Sequence, residues 1–462
     1  VARELKLELD EPLPQIANAV SAAGGRAYVV GGFVRDQLLR IPSKDIDVEV
    51  FGLTSEALDA ILEDFGTVIH VGRAFGVRRL KELDADFSLP RADSKVGSGH
   101  RGFQVDSDPS MSLPEAARRR DLTINSLAYD LHTGELHDPF GGLEDLDKSI
   151  LRASDPEHFS EDPLRGLRVA QFAARFDMVP DEELKALCRG LDLSELSAER
   201  VWAELEKILL QAQRPSVAFR FLLETDLLHF LPEIQALVGV PQDAEWHPEG
   251  DVFVHTMMVI DEAARLRSGD AFDLSLMYGA LCHDLGKPAT TEVVDGRTRS
   301  RKHDAVGVGL SDALLERLRA PASLVRRVGV LVRHHLAPGL YYRGGAKPKA
   351  YRKLARELEA CDATMELLLR VATADHLGRT TPDAIARRFP GGDHFRSQME
   401  SLDIEEEGPK DVVLGRHLIA LGLRPGKHFG DILARCRDIQ DDTGWDDPKR
   451  ILERVQSEGY FP

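Results

Sequence analysis

Residues 28–52 read YVVGGFVRDQLLRIPSKDIDVEVFG. An apolar run suited to a strand ends on two glycines, a short helix is expected from near Phe33, and a second apolar run carries Asp45 and Asp47. Residues two apart in a strand point to one face, so both carboxylates are expected on the same side. Paired hard oxygens suit Mg²⁺, which keeps waters and takes its remaining ligands from substrate phosphates. Gly31 and Gly32 let backbone approach a ligand closely, and the free N–H groups of the next helix face an anion. Arg35 is expected to add a fork for a phosphate oxygen. Asp36 is expected to pair with a nearby arginine. These parts predict a triphosphate-and-metal site of the kind that serves displacement at phosphorus.

Working outward, 462 residues allow two to four domains and a substantial core. The N-terminal VARELKLELDEPLPQ lacks the apolar centre of a secretory signal, and no apolar run reaches membrane-span length. Cys188, Cys282, Cys361 and Cys436 are scattered without paired spacing, which predicts reduced thiols and a cytoplasmic protein rather than a disulfide framework or zinc ribbon. A net charge of −18 argues against a non-specific nucleic-acid coat but leaves room for a local basic groove. To about residue 150 the chain mixes strand-like runs (AYVVGG, IDVEVFG, FGTVIHVG) with helices. From about 160 the spacing of apolar residues becomes helical, as in EDPLRGLRVAQFAARF and ERVWAELEKILLQ. EEEGPKD (405–411) marks a boundary before a tail of helix, glycine-proline turn and helix.

GGFVRDQLL…KDIDVEV resembles the signature of class II nucleotidyltransferases, the group of tRNA CCA-adding enzymes and bacterial poly(A) polymerases. RRRDLTINSLAYD (118–130), DPFGGLEDLDKSILRA (138–153), EDPLRGLRVAQFAARF (161–176) and ERVWAELEKILL (199–210) resemble that family's later motifs in order. The resemblance puts Asp45 and Asp47 on the catalytic metal pair and Asp86, in DADFSLPR, on a third carboxylate. It makes Gly31, Gly32, Arg35, Arg120, Asp121 and Asn125 nucleotide-binding, with Arg120 and Asp121 on the sugar. Glu161, Asp162, Arg165 and Arg168 fall on the base-reading motif. An Asp at i and an Arg at i+3 share a helix face, and would meet donor and acceptor groups on a base edge.

After residue 245 the histidines cluster: VFVHTMMVI, LCHDLGKP, RKHDAVG, VRHHLAP and TADHLGR supply His255, His283, Asp284, His303, His335 and Asp375. Their order resembles the HD phosphohydrolase superfamily, and HPEGDVFVHT resembles the domain found in some bacterial CCA-adding enzymes, with His247 at its head. Imidazole and carboxylate ligands suit Mg²⁺, Mn²⁺ or Ni²⁺. The stretch LYYRGGAKPKAYRKLARELEA interleaves Arg343, Lys347, Lys349, Arg352, Lys353 and Arg356 with Tyr341, Tyr342 and Tyr351, a composition that suits either an RNA strand or a solvated face.

The expected fold is α+β: a nucleotidyltransferase head with a small mixed sheet (1–150), a helical neck and body (151–240), an all-α HD domain (241–400) and a helical tail (401–462). The resemblance implies CCA addition to a tRNA 3′ end from CTP and ATP, with Mg²⁺ in the head and a second divalent metal in the HD half. It implies no membrane partner and a monomer or homodimer. The Gly-, Ser- and Pro-rich interval 91–118 falls where the family holds the loop needed for the terminal A. Its length disfavours CC-only addition and leaves CCA against A-only open. Poly(A) polymerase fits an acidic chain less well, and an intact ligand set disfavours a non-catalytic RNA-binding or nucleotide-sensing protein.

Overall fold

The computed structural model describes residues 7, 11–43, 45–71, 76–81, 83–95 and 103–461. Cα packing divides the chain into two units: Val1–Glu204 with Arg220–Phe230, and Leu205–Phe219 with Leu231–Pro462.

The first unit is built on a seven-stranded sheet of order β3-β4-β5-β2-β1-β8-β9. Its strands are β1 (Arg26–Val30), β2 (Ile46–Phe51), β3 (Val68–Val71), β4 (Val77–Leu80), β5 (Ala85–Ser88), β8 (Ala128–Asp130) and β9 (Leu136–His137); β6 (Arg91–Lys95) and β7 (Phe103–Ser107) form a separate hairpin. The sheet is mixed, because β2 runs parallel to β5 and antiparallel to β1. Val29, Val48, Val50 and Phe87 are buried in it. Helix α1 (Leu13–Ala22) turns Leu13, Ile16, Ala17 and Val20 inward, the i, i+3, i+4, i+7 stripe of an amphipathic helix. Helices α2 (Gly32–Leu38), α3 (Ser55–Glu63), α4 (Leu113–Arg118), α5 (Gly142–Lys148), α6 (Leu164–Phe176) and α7 (Glu182–Arg189) follow, before α8 (Ala198–Gln211) and α9 (Ser216–Glu224). A two-residue parallel pair joins β10 (Ile150–Leu151), at the expected boundary of head and neck, to β11 (Val179–Pro180) within the neck expected to be helical.

The second unit runs from α10 (Pro232–Gln235) through α11 (Val252–Arg265), α12 (Asp273–Cys282), α13 (Lys287–Thr290), α14 (His303–Arg317), α15 (Ala322–His334), α16 (Ala337–Gly344), α17 (Pro348–Glu359), α18 (Met365–Leu377), α19 (Pro382–Ile385) and α20 (Pro390–Leu402). Helix α11 packs on α12 and α18, and α14 packs on α15. The domain is helical as expected, with the addition of one short hairpin of β12 (Thr291–Val294) and β13 (Arg297–Ser300). The hairpin's turn residues Asp295 and Gly296 both have positive φ, the signature of a tight two-residue loop that fits strand twist. The tail helices α21 (Gly415–Ala420), α22 (Lys427–Thr443) and α23 (Pro448–Ser457) share an apolar cluster of Leu418, Ile432, Cys436, Ile439, Ile451 and Val455. All four cysteines are free, and burial pushes the Cys188 thiol up to about 12 and the Cys436 thiol up to about 11, which keeps both protonated.

Candidate active sites

In the head, β1 runs into Gly31, and α2 starts at Gly32. Gly31 has φ +74, and a Cβ there would lie 2.6 Å from an Arg120 guanidinium nitrogen. The positive φ favours glycine here, and a side chain would in addition push the Arg120 guanidinium aside. Asp45 precedes β2, and Asp47 sits within it opposite Val30 on one side and Asp86 on the other. Asp45 and Asp47 are both exposed. Loss of surrounding water raises the Asp47 carboxyl; Arg120 opposes this, and Asp86 and Asp45 reinforce it. A carboxylate kept uncomfortable by its acidic neighbours is a fitting donor for a cation.

Asp86, expected as the third carboxylate, lies opposite Asp47 in the β2–β5 register but is paired in this structure. Arg79 holds both of its oxygens, at 2.6 and 2.7 Å, and among the described residues no cluster of three potential ligands includes Asp45, Asp47 or Asp86. Arg35 is also not the expected phosphate fork. It is 4 % exposed, donates to Asp36 Oδ1 at 2.9 and 2.7 Å and to the Asn125 side-chain oxygen, and lies over the rings of Phe172 and Phe176. Asp36 is thus the arginine partner it was expected to be. Replacing Arg35 with methionine would strand Asp36 and Asn125 without that guanidinium, at a cost of about 3–5 kcal/mol. Thermal and urea unfolding of the variant check this; unchanged stability with only a raised nucleotide KM would restore the phosphate role.

Asn125 passes the network on. Its amide donates to Asp121 Oδ1 at 2.8 Å, and Asp121 Oδ2 accepts from Arg168 Nε at 2.6 Å. Burial would raise the Asp121 carboxyl, but Arg168 and Asn125 outweigh it and hold it low. Arg120 is held down by burial and by Arg119 beside it, and eased by Glu49 and Asp47. Glu49 was not anticipated. It is buried and takes Arg119 at 2.7 Å and Arg120 at 3.8 Å. The period-2 run DIDVEV already placed it on the Asp45–Asp47 face, so the signal was present.

Asp162 and Arg165 do not share a helix face. Asp162 is extended, two residues before α6, and its side chain accepts from Leu164 N at 3.2 Å and from Arg200 at 2.7 Å. Pro163 between them disfavours helical backbone at Asp162. Arg165 donates to the carbonyls of His158 at 3.0 Å and Arg119 at 2.7 Å, while Glu161 ends a short 3₁₀ turn. The interval read as the loop for the terminal A holds the β6–β7 hairpin, and its centre, 96–102, lies outside the described residues.

In the second unit the six expected ligands converge. His255 comes from α11, His283 and Asp284 from the end of α12, His303 from the start of α14, His335 from the end of α15 and Asp375 from α18. The Nδ1 atoms of His283, His303 and His335 each sit 2.7 Å from a main-chain carbonyl, those of Ala280, Ser300 and Val332. Each carbonyl requires an N–H, so the lone pair is left on Nε2, which faces the centre. There the Nε2 atoms of His283 and His255 approach to 3.4 Å, and those of His303 and His335 to 3.3 Å. Asp284 stands between the two pairs: Oδ2 is 3.0 Å from His283 and 3.8 Å from His255, and Oδ1 is 3.4 Å from His303. Asp375 Oδ1 is 3.2 Å from His255 Nε2.

Both Asp284 oxygens are buried without an oriented hydrogen bond, although Lys287 Nζ lies 2.7 Å away. Burial would raise this carboxyl, but His283 and Lys287 prevail and hold it well below the usual range. Burial, with His283 and His303 close by, takes His335 down to about 3, so it stays neutral. The converging imidazole nitrogens and the two Asp284 oxygens, of which Oδ2 also meets Lys287, form a donor set that would fit one or two divalent ions.

Two supporting residues had no clear sequence signal. Glu249 Oε1 is 2.8 Å from His255 Nδ1 and 3.0 Å from His247 Nδ1, and Arg379 grips Asp375 at 2.8 and 2.9 Å. The centre opens into a cavity of about 450 Å³ whose lining includes Lys287, His247 and Arg379. The basic stretch divides. Tyr351 is 0 % exposed against Tyr341 and Phe395, while Arg356 fastens the tail through Asp411 at 2.6 Å and Asp441 at 3.2 Å, so neither faces a strand. Arg343 remains exposed and lines the cavity.

Comparison with known proteins gives the class first. The profile of the poly A polymerase head domain matches residues 27–152, that of the probable RNA and SrmB-binding site of polymerase A matches 182–237, and that of the HD domain matches 252–376. The head is a nucleotidyltransferase head, and an HD domain follows it in the same chain. The multifunctional CCA protein of Mannheimia succiniciproducens is 35% identical over 86% of this chain and 96% of its own. That of Xanthomonas campestris pv. campestris is 42% identical over 89% and 97%. The chain belongs to the multifunctional CCA protein family. Its fold matches a CCA-adding enzyme solved with CTP (TM-score 0.64, 20% identity, 97% of this chain and 96% of the other). It also matches the Thermotoga maritima CCA-adding enzyme complexed with tRNA (TM-score 0.61, 19% identity, 99% and 97%). Among the described residues no helix is long and apolar enough to cross a membrane.

Proposed function

We propose that this chain adds the 3′-terminal CCA to tRNA from CTP and ATP without a nucleic-acid template, and that its HD half is a metal-dependent phosphohydrolase acting on 2′,3′-cyclic or 2′-phosphate ends. One observation carries the reading: two separate donor sets, the Asp45–Asp47 face on β2 and the Asp284-centred cluster, occur in a chain 35% identical to a multifunctional CCA protein along 86% of its length. The four-part division of the chain at 150, 240 and 400 is part of the same proposal.

Asp45 and Asp47 would hold Mg²⁺, which when bound would supply charge neutralisation at the triphosphate while the primer 3′-hydroxyl attacks the α-phosphorus and pyrophosphate leaves. The residues around it do the holding. Arg120, pressed on Gly31 and steadied by Glu49, offers charge beside the carboxylate pair. Asp121, fixed by Asn125 and Arg168, presents a rigid acceptor to the sugar. Asp162, oriented by Arg200, and Arg165 present acceptor and donor to a base edge, with Glu161 beside them.

In the HD half a divalent ion such as Mg²⁺, Mn²⁺ or Ni²⁺ would, when bound, supply an activated water and charge for the phosphate ester. His255, His283, Asp284, His303, His335 and Asp375 would hold it, and Lys287 and Arg379 bring positive charge to the same cavity. The test is incorporation by the purified chain into tRNAs lacking A, CA or CCA, with CTP and ATP supplied separately. CTP incorporation followed by A is expected; ATP incorporation alone would make it an A-adding enzyme.

A further inference from the structure

We propose that Trp246 and Arg343 form a second subsite on the rim of the histidine cavity, holding the base and the upstream phosphate of an RNA 3′ end. The hydrolase half is thereby directed to strand ends in preference to free phosphate esters; this rests on the phosphohydrolase reading above. Trp246 lines the same cavity as Asp284, His303 and His335, yet its side chain is 49 % exposed. Among the described residues it has no aromatic or cationic partner. An indole left in water forfeits the stabilisation that burial of so large an apolar surface provides, and a stacked base restores it.

Arg343 stands in the last turn of α16, is exposed, and lines the cavity with Trp246. It has no carboxylate partner among the described residues, although the chain carries 77 acidic residues against 59 basic ones. Other exposed arginines of this unit find acids, as Arg333 does with Asp304 at 2.6 Å and Arg297 with Glu245 at 3.2 Å. The cavity, at about 450 Å³, falls in the range that accepts a nucleotide-sized ligand, more than the ion cluster needs for one phosphate. An aromatic face for a base and a guanidinium for a phosphate are the two contacts by which proteins hold single strands.

The experiment compares kcat/KM of the full-length, metal-supplemented chain on three probes: a trinucleotide RNA ending in a 2′,3′-cyclic phosphate, uridine 2′,3′-cyclic phosphate, and base-free glycerol 1,2-cyclic phosphate. The wild type is expected to rank them in that order. Trp246→Leu should shrink the uridine-to-glycerol ratio by about 5- to 150-fold, with Trp246→Phe restoring most of it. Arg343→Gln should shrink the trinucleotide-to-uridine ratio. A second readout needs no turnover: a 3′-phosphorylated trinucleotide should quench tryptophan fluorescence in the wild type and much less in Trp246→Leu. Equal wild-type rates on all three probes, or ratios unmoved by both variants, overturn the subsite. If the wild type hydrolyses none of them, the phosphohydrolase reading fails, and the fluorescence titration alone decides whether Trp246 receives a base.

Discussion

Asp47→Asn abolishes nucleotide addition, by about 10³-fold or more, and leaves hydrolysis by the HD half standing. The size follows from removing a charged ligand where phosphoryl charge is neutralised, a larger loss than that of one neutral donor. The selectivity follows from two donor sets that share no residue. The fold should survive. The Asp47 carboxyl is already pushed toward its neutral form by lost water and by Asp86 and Asp45, so a neutral amide of the same shape relieves repulsion. The metal-free variant should therefore melt no lower than the wild type, while the Mg²⁺-dependent rise in melting temperature disappears. Asp45→Asn should behave alike. Normal incorporation by a folded Asp45, Asp47 double variant would remove the proposed head metal site.

The second large effect is expected at Asp284. Its two oxygens face different histidine pairs, so Asp284→Asn takes a charged ligand from both halves of the centre at once. Bound metal and phosphodiesterase turnover should each fall by more than about 100-fold, because second-sphere changes alone cost 10- to 100-fold. Asp375→Asn touches only the His255 side and should spare part of the metal. CCA addition should continue in both variants. Metal analysis of the purified proteins with hydrolysis of a 2′,3′-cyclic nucleotide decides it; full metal content in Asp284→Asn would mean that this carboxylate is not a ligand.

The sequence by itself determined the two donor sets and the architecture that carries them. Strand periodicity put Asp45 and Asp47 on one face before any partner was known, because side-chain alternation is a local property of the backbone. The ordered His and Asp residues named the second centre, and each sits on or at the end of a helix. Only the tertiary structure decided which charged groups remain available. Arg35 and Asn125 are 90 residues apart, and Arg168 and Asp121 are 47 apart, so no local pattern shows that these side chains spend their donors on each other. The same holds for Arg79 closing on Asp86, for Glu249 steadying His255 from outside any helix, for Tyr351 turning inward against Tyr341, and for Arg356 holding the tail. A guanidinium or an aromatic ring has one chemistry in the sequence, but which internal partners hold it, and which face is left toward a ligand, is settled by packing between distant segments.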